Sequence, residues 1–564
     1  MVTLCLQYMK NNRFIFFCSI VVIAAVLRFY QMGNIPPSPD WDEAALGYNA
    51  KSIYLTGKDE YGTVLPLSFR SYDDYKPPLY VYLTVPSVAI FGLNTWATRL
   101  PSAIMGVLAV IGTYFLVQKL FEYRLYKESL KRFDFIPFVS SFLLAISPWH
   151  IQFSRIAFEA NIGVTINIWA VYFFLRGLTS KWYLIGSAGL FALGLYAYHS
   201  QRIFVPLLVL FLGVLYRKRI FQLKKSIILQ AFIVGCVVLL PLIPVFFDKN
   251  VLMRLKGTSS FREQTEILSN NIKKLEYDRS RGYWIGELFD NRRIEYGLVI
   301  ARGYLAHFSP KWLFVTGDHE RHHAPDMGLL YIWELPFFLY GLFQLLKLKD
   351  KGHGSYVIFG WLLLAPIAAS PTTQLPHAIR TLVFLPTFQI CIAFGIVAAI
   401  SNIKSNLSGI KRICVMSIVA IICFFAVCNV LYYLAQYFGR TNKEYSKFWQ
   451  YGYKEAVLYT ESVKDSYSKI VVSTALEQPY MFYLFFLNYD PVRYLENGGT
   501  KSGSFDEKGN MFDTYEFRPI DWNKERFDGK TLYVGSPSEM PHGNNAHITF
   551  LDGTPAIEIK DRKD

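Results

Sequence analysis

Apolar runs of roughly membrane-spanning length recur through this sequence, with charged residues at their flanks. A helix of about 20 apolar residues crosses the hydrocarbon core. Inside lipid, only a helix or a closed barrel satisfies its own backbone polar groups. The runs fall at 13–30, 98–121, 135–149, 160–177, 182–199, 203–216, 226–246, 327–346, 355–370, 381–400 and 413–436. The expected fold class is therefore a polytopic α-helical membrane protein with about eleven transmembrane helices. A hydrophobic share of 52% exceeds what a soluble enzyme of 564 residues needs. The piece Leu79–Phe91 is short and contains Pro86, so it is expected to lie along the interface or re-enter. The run from Phe14 to Leu27 follows Lys10 and Arg13 with no convincing small-residue cleavage site. It is expected to be a retained helix rather than a cleaved signal.

A formal charge of +15 could suggest a nucleic-acid partner. The positions of the basic residues give a different reason. Arg124, Lys127, Lys131 and Arg132, then Lys181, then Arg217, Lys218, Arg219, Lys224 and Lys225 fall on one face if Leu79–Phe91 does not cross. Lys347, Lys349 and Lys351, then Lys404, Lys411 and Arg412 fall on the same face, with Lys10 and Arg13. Basic connections mark the cytoplasm, so the N-terminus is expected inside and the protein in the cell membrane. The opposite face then receives 31–97, 247–326 and 437–564. No nucleic-acid motif is present. The seven cysteines form no CxxC pair and read as small apolar residues rather than a disulfide framework or zinc site.

Two domains are expected: a membrane portion, 1–436, and an extracytoplasmic α/β domain, 437–564. The second carries strand-like runs at 469–474, 531–536, 547–552 and 556–560, with a helix near 478–488. The run 496–510 reads as a flexible turn.

The chemistry gathers in the first outer loop. Asp40, Asp42 and Glu43 form one acidic cluster and Asp73 and Asp74 another, followed by Lys76, Pro77 and Pro78. A carboxylate there can take a proton from an acceptor hydroxyl, and the lysine can stabilise a departing phosphate. Asp42 is the first choice of base, with Glu43 and Asp74 as further catalytic candidates. The plainer reading of Asp42 and Glu43 is a helix cap, and the two roles can coexist. Three further outer connections each keep one arginine on the face where cations are disfavoured. They contain His150, Arg155 and Glu159; Tyr198, His199 and Arg202; and His377 and Arg380. An anionic ligand would explain them, as would pairing with lipid phosphates or loop carboxylates. Lys76, Arg155, Tyr198, His199, Arg202 and Arg380 are thus the donor-phosphate candidates. Asp73, Glu159 and His377 are candidates for acceptor or sugar contacts. Asp318, His322 and His323 have spacing able to supply metal ligands, but a solvated polar loop is the preferred reading and no metal site is expected. The chemistry itself requires no cofactor.

The runs WDEAALGYNA, KDEYG, DYKPPLYVYL and TRLPSA resemble the first outer loop of the GT-C membrane glycosyltransferases. The likeness is to the protein O-mannosyltransferases and the bacterial lipid A aminoarabinose transferases. ISPWHIQFSRIAFEANIG, YAYHSQRIFVP and LPHAIRTLVFLP resemble stretches of phospholipid-carrier-dependent glycosyltransferases, so the likeness covers about 30–400. It implies a GT-C fold and transfer of a sugar, with inversion, from a polyprenyl-phosphate donor to a hydroxyl of a protein, lipid or glycan. Asp42 matches the family's first-loop aspartate and Lys76 its Lys-Pro-Pro lysine. Tyr75 stands where the lipid A branch has a glutamate, which argues against a strict aminoarabinose transferase. Two other classes compete. A lipid or sugar transporter would put ionisable groups near the bilayer midplane, and a non-catalytic assembly protein would leave the carboxylate–cation cluster without a task.

Overall fold

A computed structural model describes residues 12–122 except Asp73, then 133–248, 265–348, 353–402, 409–503, 509–525, 529–540 and 546–561. Asp73, the basic connection 124–132, Lys349, Lys351 and Lys404 lie outside the described residues. The chain divides into two compact units. One comprises 1–24, 107–150 and 163–430; the other comprises 25–106, 151–162 and 431–564.

The first unit is helical. Among the described residues of the chain, Thr95–Leu120, Lys225–Phe247, Leu382–Asn402 and Gly409–Tyr445 are long and apolar enough to cross a membrane. Ile136–Ile146 and Pro148–Arg155, meeting at 56°, would make a fifth span if counted together. Ile413, Ile421, Phe424 and Val427 of one span, and Leu229, Phe232, Val237 and Leu240 of another, are exposed. Outward apolar rows of this kind suit lipid contact. A polytopic helical membrane protein is what these helices support. The expected count of eleven does not follow from their lengths, because several expected spans are shorter helices. Lys181–Gly194 has 14 residues and Gly354–Leu364 has 11, which at 1.5 Å per residue falls well short of ~30 Å. Leu79–Phe91 is a 13-residue helix, also too short to span.

Small residues bring two helices of this unit together. A Cβ on Gly341, in Glu334–Lys347, would strike the carbonyl of Cys391. One on Gly395, in Thr387–Asn402, would strike that of Phe337. Backbone contact through glycine is the usual device for helices packing in lipid. Lys181–Gly194 packs on Lys225–Leu239, beside an apolar groove of about 430 Å³ lined by Leu184, Phe191, Val205 and Phe232.

The second unit holds two sheets. A short hairpin pairs β1 (Phe69–Ser71) with β2 (Asp74–Lys76), placing Phe69 opposite Lys76. The larger sheet contains β3 (Lys469–Val472), β4 (Asn510–Phe512), β5 (Tyr515–Phe517), β6 (Thr531–Gly535), β7 (Ala546–Thr549) and β8 (Pro555–Lys560), in the order β4-β5-β3-β6-β8-β7. β3 runs parallel to β5 and β6, and the other pairs are antiparallel. β4 and β5 were not expected. They are three-residue strands close to the glycine-rich run, too short to show alternation. Ile470, Val472, Phe512 and Phe517 pack with Tyr480, Phe482 and Phe485 of the helix Pro479–Phe486. The same core takes in Ala44, Ala45 and Tyr48, so the helix Trp41–Thr56 is anchored by the sheet core.

Candidate active site

The helix Trp41–Thr56 begins with its cap on Asp40. The Asp40 carboxylate accepts the backbone N–H of Glu43 at 2.9 Å. Capping therefore falls to Asp40, not to Asp42 or Glu43, and satisfies an N–H that the first helical turn leaves unpaired. The Asp42 side chain is 31% exposed, and its oxygen lies 2.5 Å from Lys76 Nζ. Lys76 closes the β1–β2 hairpin, and Pro77 and Pro78 lead at once into Leu79–Phe91. A strand register on one side and a rigid turn on the other fix the root of this long side chain. Burial works against the Lys76 ammonium. The charges of Asp42 and Glu159, with the hydrogen bond to Asp42, outweigh it and hold the group above the usual lysine range. The lysine is thus a permanent cation with little water around it, beside a carboxylate that reaches solvent.

Glu43 occupies the opposite environment. It is fully buried, and Arg99 grips it with Nε and Nη2 at 2.8 and 2.7 Å. The amide of Ala157 donates to the same carboxylate at 2.7 Å. Arg99 also donates to the carbonyls of Met32, Pro36 and Ser38 at 2.8–2.9 Å. Glu43 is therefore an internal counter-ion, withdrawn from the role of base by geometry. Arg99 was missed by sequence reasoning. Its signal was a lone arginine just inside an apolar span, in TRLPSA.

Arg155 has a similar fate. It is buried, its guanidinium donates to the carbonyls of Leu27, Arg28 and Ile35 at 2.9–3.2 Å, and it faces the rings of Tyr437 and Phe438. With those donors on main chain and no exposed surface, Arg155 ties these segments together. Glu159 is buried and contributes charge to Lys76, as does Asp74. Asp74 also accepts the amide of Tyr75 at 2.7 Å.

Glu60, from KDEYG, is a further buried carboxyl, to which the sequence reading assigned no role. Asn49, Tyr480 and Thr500 donate to it at 3.1, 3.1 and 2.7 Å. Burial pushes it up to about 7 despite these hydrogen bonds. It joins the helix Trp41–Thr56 and the turn after it to the segment around Thr500.

The remaining candidates belong to the other unit. Tyr198 is buried, and its ring lies 6.2 Å from that of His199. The Arg202 guanidinium stands over Phe246 at 5.4 Å. Arg380 donates to the Thr372 hydroxyl and the Thr373 carbonyl at 2.7 and 2.6 Å. His377 sits beside Asp318 and His322 rather than with Arg380 alone. His322 Nδ1 lies 2.7 Å from Asp318 Oδ2, and His377 Nδ1 lies 4.0 Å from the same oxygen. His323 turns aside to the carbonyl of His319 at 3.0 Å. The group that comes together is thus Asp318, His322 and His377, and not the weak candidate trio Asp318, His322 and His323. Burial opposes ionisation of Asp318. The hydrogen bonds with His322 and the Ala378 amide outweigh it and hold the carboxyl well below its usual range.

A family model described as dolichyl-phosphate-mannose-protein mannosyltransferase matches residues 75–245, under a third of the chain. Comparison with curated proteins finds no match. Among solved structures, ArnT from Cupriavidus metallidurans bound to undecaprenyl phosphate aligns with a TM-score of 0.52 at 12% identity, over 98% of each chain. Its apo state gives 0.51 at 10% identity, again over 98% of each. The Archaeoglobus fulgidus oligosaccharyltransferase, tethered to an acceptor peptide, gives 0.50 at 15% identity. That match covers 85% of this chain but only 64% of the archaeal one. At these identities the likeness establishes the fold. The chain has the GT-C fold that the motifs between residues 41 and 103 suggested.

Proposed function

We propose that this protein is an inverting glycosyltransferase that moves a sugar from a polyprenyl-phosphate donor to an acceptor hydroxyl at the outer face of the membrane. The observation that carries this reading is the Asp42–Lys76 pair. It couples a carboxylate open to solvent with a buried, permanently charged lysine 2.5 Å away. Neighbouring Asp40 and Glu43 are already engaged as cap and counter-ion. Support comes from the mannosyltransferase model over 75–245 and from a same-fold ArnT that binds undecaprenyl phosphate.

In this mechanism the donor phosphate docks on Lys76 and draws the ammonium away from Asp42. The acceptor oxygen attacks C1 of the sugar from the face opposite the phosphate. The C1–O bond breaks and its electron pair passes to the phosphate, where Lys76 meets the growing charge. Asp42 takes the acceptor proton as the new bond forms. A phosphate leaves without being protonated, so a second acidic carboxyl of the kind hydrolases use is not required.

The test is transfer from radiolabelled polyprenyl-phosphate sugars in membranes, wild type against Asp42→Asn. The variant should lose about 10²–10⁴-fold in rate while remaining folded. Near-wild-type transfer by Asp42→Asn would remove the base assignment. No transfer by wild type, with native donors and acceptors supplied, would overturn the function.

A further inference from the structure

Two segments far apart in sequence meet around Asp318. One follows the helical turn Trp312–Thr316 and carries Asp318, His319 and His322. The other, 371–381, carries His377. The ligand atoms of Asp318, His322 and His377 all lie within 4.8 Å of one another. Two N donors and one O donor around a tetrahedral zinc-type ion sit roughly 3.3 Å apart, since metal–ligand distances are ~2.0–2.2 Å. The observed separations of 2.7 and 4.0 Å from Asp318 Oδ2 bracket that value, so small side-chain rotations would close the set.

Three observations set this cluster apart from a solvated polar loop. The Asp318 and His377 side chains are only 4% and 8% exposed. Among the described residues, buried His377 Nδ1 has no hydrogen-bond partner, an expensive state for an imidazole nitrogen unless a ligand engages it. The surroundings are braced as metal ligands usually are. Ala378 donates its amide to Asp318 at 2.7 Å, the backbone N–H of His377 donates to His307 at 3.3 Å, and the indole of Trp149 holds the Ala378 carbonyl at 3.3 Å. His319 is exposed, with its ring 5.8 Å from that of His322 and 5.9 Å from that of His377, so a fourth donor is at hand.

We infer that Asp318, His322 and His377 form a binding site for a divalent transition-metal cation of the zinc class. The site is independent of the Asp42–Lys76 pair. Binding would replace the His322–Asp318 contact with bonds to the ion and would staple 371–381, including Arg380, to the loop after Trp312–Thr316.

Full-length protein in detergent, stripped with a chelator, is titrated with Co²⁺ and then Zn²⁺. Wild type should take up a single equivalent of Co²⁺ with the visible bands of a tetrahedral site, and Zn²⁺ should displace it. Asp318→Asn should weaken binding by about 10²-fold or more, since even indirect supports of metal ligands are worth 10–100-fold. His377→Cys should keep the cobalt and add a thiolate-to-metal charge-transfer band, which a merely structural histidine would not produce. His323→Gln should bind as wild type does. A wild-type protein with no cobalt bands would overturn the site, as would bands of equal strength in Asp318→Asn. A folded His377→Cys protein lacking the new band would remove His377 from the ligand set.

Discussion

The Glu43–Arg99 pair offers the sharpest way to separate scaffold from chemistry in the acidic loop. Both side chains are fully buried. Neutralising one partner of a buried ion pair generally costs about 3–5 kcal/mol, because the remaining charge is left uncompensated. In Glu43→Gln the arginine would still reach the carbonyls of Met32, Pro36 and Ser38, which places the expected loss at the lower end, about 3 kcal/mol. Arg99→Lys should cost a comparable amount, since a single ammonium cannot serve acceptors spread across a planar fork. The double variant should lose less than the sum of the two, by a coupling of about 0.5–3 kcal/mol. The assay follows tryptophan fluorescence and monodispersity of purified protein on heating, with transfer rates measured well below the unfolding midpoint. Glu43→Gln should unfold earlier than wild type yet, where folded, retain most of its transfer rate. The opposite result, a wild-type midpoint with a hundredfold loss of rate, would refute the reasoning and make Glu43 the base.

Lys76→Met should lower transfer by about 10²–10³-fold, the usual loss on removing one pre-placed stabiliser of developing negative charge; an unchanged rate at saturating donor would exclude Lys76 from the leaving-group site. Glu60 predicts a pH dependence of stability. Its folded value of about 7 lies above its unfolded 4.5, so the folded state binds more protons between these values and stability falls as pH rises through that window, by about 3 kcal/mol in all. The loss is absent below pH 4.5 and complete above pH 7, and Glu60→Gln should abolish the slope; an unchanged slope in that variant would assign it to another group.

The helical membrane class and the first-loop cluster were legible in the sequence because each depends on residues close together in the chain. Apolar runs are continuous, and Asp42 and Lys76 lie in one loop with distinctive neighbours. The roles within the cluster were not legible. A cap is set by backbone geometry at one residue, and composition does not distinguish Asp40 from Asp42. Glu43 looked as catalytic as Asp42 until Arg99, 56 positions away, was seen to bind it. Arg155 reads as a phosphate candidate because a cation at a span end has two explanations, and its carbonyl partners lie more than a hundred positions away. His377 was grouped with Arg380 by proximity, whereas its neighbour in space is Asp318. β4 and β5 owe their existence to partners in the sheet, not to their own three residues each.

Arg99 and Arg155 share one habit with a consequence for how the chain can change. Together they hold the segment from Leu27 to Ser38 by its backbone carbonyls. Every residue type presents the same oxygen, so these ties constrain the length of the segment rather than its side chains. A substitution at exposed Asn34 should be absorbed quietly, because its backbone carbonyl, not its side chain, takes the bond from Asn442. A single inserted or deleted residue would shift the oxygens out of phase with both guanidinium groups and carry the error forward to Asp42.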